Sequence, residues 1–158
     1  MSSHLSKQFD LELEGIRTRV LQMGGLVERQ LMAAIDAFST GNIEAMQEVV
    51  RTDAEVDAYE VGIDEECTLL IARRQPAACD LRLVMAISRI VTDLERSGDK
   101  AAKIANKSRK LHRVSGQRIP RLSDLHHCGG LVTAMLQGAL DSLARMDVDA
   151  ARQVIKAD

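Results

Sequence analysis

Two pairs of carboxylates stand four residues apart in the chain, Asp53 with Asp57 and Glu95 with Asp99. On a helix that spacing stacks both members of a pair on one face, where like charges destabilise by about 0.2–0.5 kcal/mol. The midpoint of the first pair lies 20 residues before Gln75 and that of the second 22 after it. If Gln75 marks the turn of an antiparallel helical hairpin, the two levels coincide to within about 3 Å at helical rise. Four carboxylates then meet across one helix–helix seam, and each raises the pKa of the others. A hard cation with oxygen ligands removes that conflict, and carboxylates from facing helices are one way to build such a site. The competing reading is ordinary solvated acids with local ion-pair partners, since Arg51 stands four before Glu55, Lys103 four after Asp99, and Arg96 beside Glu95.

Other chemistries find less support. Di-iron redox sites built from Glu-x-x-His on paired helices are disfavoured, because none of His4, His112, His126 and His127 sits three residues after a Glu. His126-His127-Cys128 lacks companions at zinc spacing and reads as a capping or surface cluster. No nucleophile with an adjacent base and no glycine-rich phosphate loop is apparent in the sequence.

The elements that must position the acids follow from the apolar pattern. Phe9, Leu13, Ile16, Val20, Met23, Val27, Leu31, Ile35 and Phe38 step by threes and fours to Ser39-Thr40-Gly41, which predicts one long helix. Asn42 caps a second, whose stripe Met46, Val49, Val56, Ile63, Cys67 and Leu70 runs to the break at Arg73-Arg74-Gln75-Pro76. A third starts at Pro76 and carries Val84, Ile87, Val91, Leu94, Gly98, Ala101 and Ala105. Short connections make the neighbours antiparallel and the unit a three-helix bundle. At the level of the acids the first helix presents Met23, Gly24 and Gly25, and the missing side chains are expected to leave room there.

After Ser115-Gly116-Gln117-Arg118-Ile119-Pro120 the chain begins again. Residues 24–53 align without a gap to 129–158, and 10 of the 30 pairs are identical, among them Asp36 with Asp141 and Asp53 with Asp158. A repeat of this kind implies two copies of one unit. The expected organisation is all-α: a first three-helix bundle over 1–113, a linker over 114–122, and the start of a truncated second bundle over 123–158. Leu131, Met135, Leu136, Leu140 and Leu143 form an apolar stripe that must dock on something, and a homodimer would satisfy it.

Composition agrees. Of 158 residues 46% are apolar but only 2% aromatic, so the core is aliphatic, which suits helix-on-helix packing. A net charge of −2 and the lack of aromatic platforms argue against nucleic acid. Three cysteines without CxxC spacing, no apolar run of spanning length and no signal-peptide pattern point to a cytoplasmic protein, peripheral at most to a membrane. Residues 42–66 hold nine acids and one base, Arg51, whereas 100–121 hold eight bases and no acid. The basic run reads as a solvated helix end, or as a surface for an acidic protein or an anionic membrane.

Arg73-Arg74-Gln75-Pro76-Ala77-Ala78-Cys79-Asp80-Leu81-Arg82, followed by Asp93-Leu94-Glu95-Arg96-Ser97-Gly98-Asp99, strongly resembles the PhoU family of phosphate-specific transport accessory proteins. Phe9 to Glu14 and Met23 to Glu28 resemble it too. The resemblance implies tandem three-helix bundles and a non-enzymatic regulator of phosphate homeostasis in the cytoplasm. Such a protein reports the state of the phosphate ABC transporter to a membrane-bound sensor histidine kinase and holds the starvation response off when phosphate is plentiful. It also implies metal at E(D)xxxD motifs, which fall here on Asp53, Asp57, Glu95 and Asp99; the oxygen donors leave magnesium, manganese, iron and zinc open. The chain departs from the family in having Ser97 where a bulky aliphatic residue is usual, and in lacking a second DLERxGD motif. Two rival readings are a metal-dependent hydrolase, in which a bound cation activates water, and a metal-independent interaction module.

Overall fold

Gly41 and Asn42 divide the first long apolar stripe from the second. Gly41 takes a left-handed backbone, φ 70, and the Asn42 side chain accepts a hydrogen bond from the Ala45 amide. That combination ends one helix and caps the next. The fold is that of a computed structural model, which describes residues 2–114 and 122–157, with the side chains of 7–114 and 123–157. It comprises α1 (Ser2–Thr40), α2 (Ile43–Arg74), α3 (Ala78–Val114), α4 (Leu122–Arg145) and α5 (Val148–Ala157). The expected linker falls mainly on 115–121, outside the described residues.

Two boundaries differ from expectation. Helix α1 begins at Ser2, seven residues before Phe9 opens the apolar stripe, because helix ends need no apolar residue and Lys7 and Gln8 are good helix formers. Helix α3 begins at Ala78 and not at Pro76. Gln75 adopts φ 47 and its amide donates to the Ile71 carbonyl at 2.9 Å, which closes α2, and Leu81 then donates back to Ala77 as the first turn of α3.

The three long helices bury Val20, Met23, Val27, Val56, Ile63, Val84, Ile87 and Val91 in one cluster and Ala34, Ala37, Met46, Val49, Ala101 and Ala105 in a second, narrower one. Below Val27 the buried line of α1 departs from the expected stripe. It runs through Gln30, Ala34 and Ala37, while Leu31, Ile35 and Phe38 are only half-buried. The reason is that α1 has two apolar faces, one toward α2 and α3 and the other toward α4.

The apolar stripe of α4 finds its dock on α1. Leu136, Leu140 and Leu143 pack against the main core, and Leu131 and Val132 stay exposed. Gly24 makes this possible: a Cβ on it would lie 2.3 Å from Leu140 Cδ2. Gly129 does the same for Ile35, whose Cδ1 would lie 2.5 Å from a Cβ there. Gly24 therefore makes room for a helix and not, as expected from register, for the acids, whereas a Cβ on Gly25 would meet only Arg29 of the same helix, at 3.6 Å.

The repeat is visible in the backbone as well as in the residues. Met146, the counterpart of Gly41, has φ 53, and Asp147, the counterpart of Asn42, accepts from the amides of Asp149 and Ala150. Asn42 donates its amide to Ala37, and Asp147 donates to Ser142, again the equivalent residue.

Candidate metal centre at the α2–α3 seam

The apolar packing of α2 on α3 sets the register of the hairpin, and one hydrogen bond marks it, from Ser88 Oγ to Asp64 Oδ1 at 2.7 Å. Seven residues back along α2 and seven forward along α3, two helical turns each, stand Asp57 and Glu95. Eleven residues, three turns, lead to Asp53 and Asp99. The four carboxylates singled out by spacing are thus brought to one seam.

Their electrostatics report the same proximity. Burial pushes the Asp53 carboxyl above its ordinary range, a hydrogen bond from Gln30 pulls it back, and the charges of Asp57 and Asp99 push it up. Burial likewise raises Glu95, with Glu60, Asp99, Asp57 and Asp53 adding to it. Asp99 has a local counter-ion, Lys103 Nζ at 2.5 Å, and the ammonium is in turn held protonated by Asp99, Glu95 and Asp53. Of the other pairings suggested by spacing, Arg96 binds Asp93 and Arg51 binds Glu48; both lie on exposed surface, where such pairs contribute little.

Four hard oxygen donors with two elevated carboxyls are the chemistry a divalent or trivalent cation would relieve, so the donor set fits one. As the side chains stand, no three His, Cys, Asp or Glu among the described residues gather on one point, and Lys103 serves Asp99 instead. Ligation through this seam therefore needs the carboxylates to turn toward one another and Lys103 to release Asp99.

Spacing missed two contributors. Glu60 is one: Asp53, Asp57, Glu60 and Asp64 step by four, three and four along α2, so the acidic face is longer than two pairs. Gln30 is the other. It is 2% exposed, and its Nε2 donates to Asp53 Oδ1 and to the Val49 carbonyl, each at 3.2 Å. The available signal was a polar residue three after Val27 and four before Ala34, at a core position of α1.

Gly98 of the DLERSGD stretch has its explanation in the same place. A Cβ there would sit 2.9 Å from Gln30 Oε1 and 3.2 Å from Val56 Cγ1. Gly98→Ala gains about 1 kcal/mol in helix propensity but overpacks a filled core, which costs about 1–3 kcal/mol. The expected result is a net loss of about 1 kcal/mol in urea denaturation with an unchanged m value.

Packing also joins a serine to a histidine. His126 on α4 reaches Ser39 at the end of α1. Ser39 has one hydroxyl proton and donates it to the Ile35 carbonyl at 2.9 Å, so it accepts from the imidazole N–H. The pair ties α4 to α1. His112 similarly bonds the Phe38 carbonyl at 2.8 Å. Among the described residues, no helix is long and apolar enough to cross a membrane.

Fold and seam together define a class: an all-α bundle protein whose distinctive chemistry is a register-matched set of carboxylates between two antiparallel helices. The PhoU domain model matches residues 20–108, and the chain belongs to that family. It is similar to the phosphate-specific transport system accessory protein PhoU of Serratia marcescens, with 46% identity over all 158 residues. The crystal structure of PhoU from Pseudomonas aeruginosa superposes with a TM-score of 0.87 at 43% identity, covering 92% of this chain and 69% of that one. The phosphate transport system regulatory protein PhoU from Streptococcus pneumoniae gives 0.86 at 28% identity, over 94% and 69%. The chain spans 64% of the length of the Serratia relative.

Proposed function

We propose that this chain is a non-enzymatic regulatory adaptor of phosphate homeostasis, acting in the cytoplasm. In this reading it couples a phosphate ABC transporter to a sensor histidine kinase at the inner face of the membrane and holds the starvation response off while phosphate is plentiful. Asp53, Asp57, Glu95 and Asp99 hold a metal ion that shapes the surface a partner reads. Residues 123–158 are the first part of a second unit built like 1–113. The observation that carries the proposal is the alignment of the whole chain with a protein named as an accessory of phosphate-specific transport.

The test is complementation. Expressed in a bacterium lacking its own accessory protein, the chain is expected to lower a phosphate-starvation reporter in phosphate-rich medium by about tenfold, about 1.4 kcal/mol in an equivalent equilibrium. A reporter that stays fully induced despite soluble chain at wild-type abundance overturns the regulatory reading. Co-purification with transporter and kinase from membranes of phosphate-replete cells tests the partners separately, and sedimentation tests the homodimer.

The ion pair of Lys103 with Asp99 favours one rival, a module whose acids meet a partner's basic surface without metal. That version predicts partner binding that is weakened by salt and indifferent to chelator. The metal-dependent version predicts loss in chelator.

A further inference from the structure

We propose that Gln30 is the positioning residue of the carboxylate seam: its buried amide reaches from α1 between α2 and α3 and fixes Asp53 in the orientation in which it takes a cation. The inference rests on the metal-binding reading above.

Both neighbours of the Gln30 amide nitrogen, Asp53 Oδ1 and the Val49 carbonyl, are acceptors, each at 3.2 Å. Turning the amide over would set oxygen against oxygen twice, so the orientation of this side chain is determined by its surroundings. The consequence falls on the other end. Gln30 Oε1 is buried beside Gly98, which has no side chain to donate, and finds no hydrogen-bond partner among the described residues.

An orphaned acceptor in a core is destabilising, and an apolar side chain of the same length would remove it. That cost offsets much of what the two hydrogen bonds of the amide nitrogen contribute, so the net gain in stability from glutamine here is small. What the amide does is supply a donor to one ligand oxygen and leave the other oxygen of Asp53 to a cation. Groups that hydrogen-bond a ligating carboxylate in this way fix its rotamer, and their loss typically weakens metal binding by about 10–100-fold. Gly98, in the DLERSGD stretch of α3, is the residue whose missing Cβ lets the amide lie as it does.

The experiment titrates manganese(II) into metal-free wild type, Gln30→Met, Gln30→Glu and the double variant Asp53→Asn with Glu95→Gln, and records thermal unfolding of each metal-free protein. Gln30→Met, which loses the orphaned acceptor together with the two donated hydrogen bonds, is expected to unfold near the wild-type temperature and to bind manganese about 10–100-fold more weakly. Gln30→Glu keeps the length, puts an acceptor where the donor stood, and is expected to lose affinity as well. Whichever of the two unfolds like wild type decides the matter.

Wild-type affinity in that variant overturns the positioning role, as does a loss of affinity found only in step with a loss of stability. If wild type and Gln30→Met bind alike while the double variant does not, the error lies with Gln30 and the seam remains. If wild type takes up no manganese, the metal-binding reading falls and the role of Gln30 with it.

Discussion

Asp53→Asn combined with Glu95→Gln is expected to weaken manganese binding severely while leaving the metal-free protein at least as stable as wild type at neutral pH. The first effect is large because affinity at oxygen sites follows the charge of the ligands. Removing two of four carboxylates should weaken binding on the order of a hundredfold or more. The second effect follows from the direction in which the two carboxyls are shifted. Burial raises both, and neighbouring acids raise them further.

A carboxyl whose pKa is higher in the folded state binds its proton more tightly there than in the unfolded chain. Its contribution to stability therefore falls as pH rises from the ordinary carboxylate range through the raised value. Asn and Gln carry no charge to lose, so the double variant should escape that fall. Urea midpoints measured from about pH 4 to about pH 7 should show the variant gaining on wild type with rising pH. Parallel curves would mean that the seam acids do not strain one another. Glu12 supplies an internal contrast: its hydrogen bond from Arg74, at 2.5 Å, holds its pKa down. The stability it contributes is present above its unfolded pKa and is lost as pH falls through the lower folded value.

Gly24→Val is expected to force α4 away from α1. A single Cβ at this position would already lie 2.3 Å from Leu140 Cδ2 and 2.9 Å from its Cδ1, so the two extra methyls of valine have no space without movement of the helix. Overpacking of this kind costs about 1–3 kcal/mol. The uncovered Leu136, Leu140 and Leu143 lose in addition the benefit of their burial against the core. A double-mutant cycle separates this from a simple helix effect. Leu140→Ala is destabilising alone, but paired with Gly24→Val it should restore part of the loss, with a coupling of about 1 kcal/mol or more. Additive losses would place the damage within α1 itself.

Much of this arrangement was legible in the residues. The three-four stepping of apolar positions located the long helices, and Gln75-Pro76 located the turn that sets the carboxylates level. What remained hidden depended on contacts between elements remote in sequence. Spacing alone assigned Gly24 and Gly25 to the acid level, because a single-bundle count has no place for a fourth helix. Once α4 is present, Gly24 is seen to face Leu140, and Leu31 and Ile35 become a second apolar face of α1. Gln30 was passed over for a related reason. A polar residue inside an apolar stripe is read as an interruption until its partners, here on α2, are known. The serine–histidine contact between Ser39 and His126 joins positions 87 apart in the chain, which no local pattern could have paired.

The contact between α1 and α4 is reciprocal. Gly24 receives Leu140, and Gly129, the repeat equivalent of Gly24, receives Ile35, the repeat equivalent of Leu140. Each helix thus offers its neighbour the same notch and the same peg, which is the defining property of an isologous interface between identical subunits. A chain with only one copy of the unit would carry both halves of this joint and would pair with itself through them. Two such units joined in one polypeptide keep that self-complementary joint between helices that no longer need to find each other by diffusion.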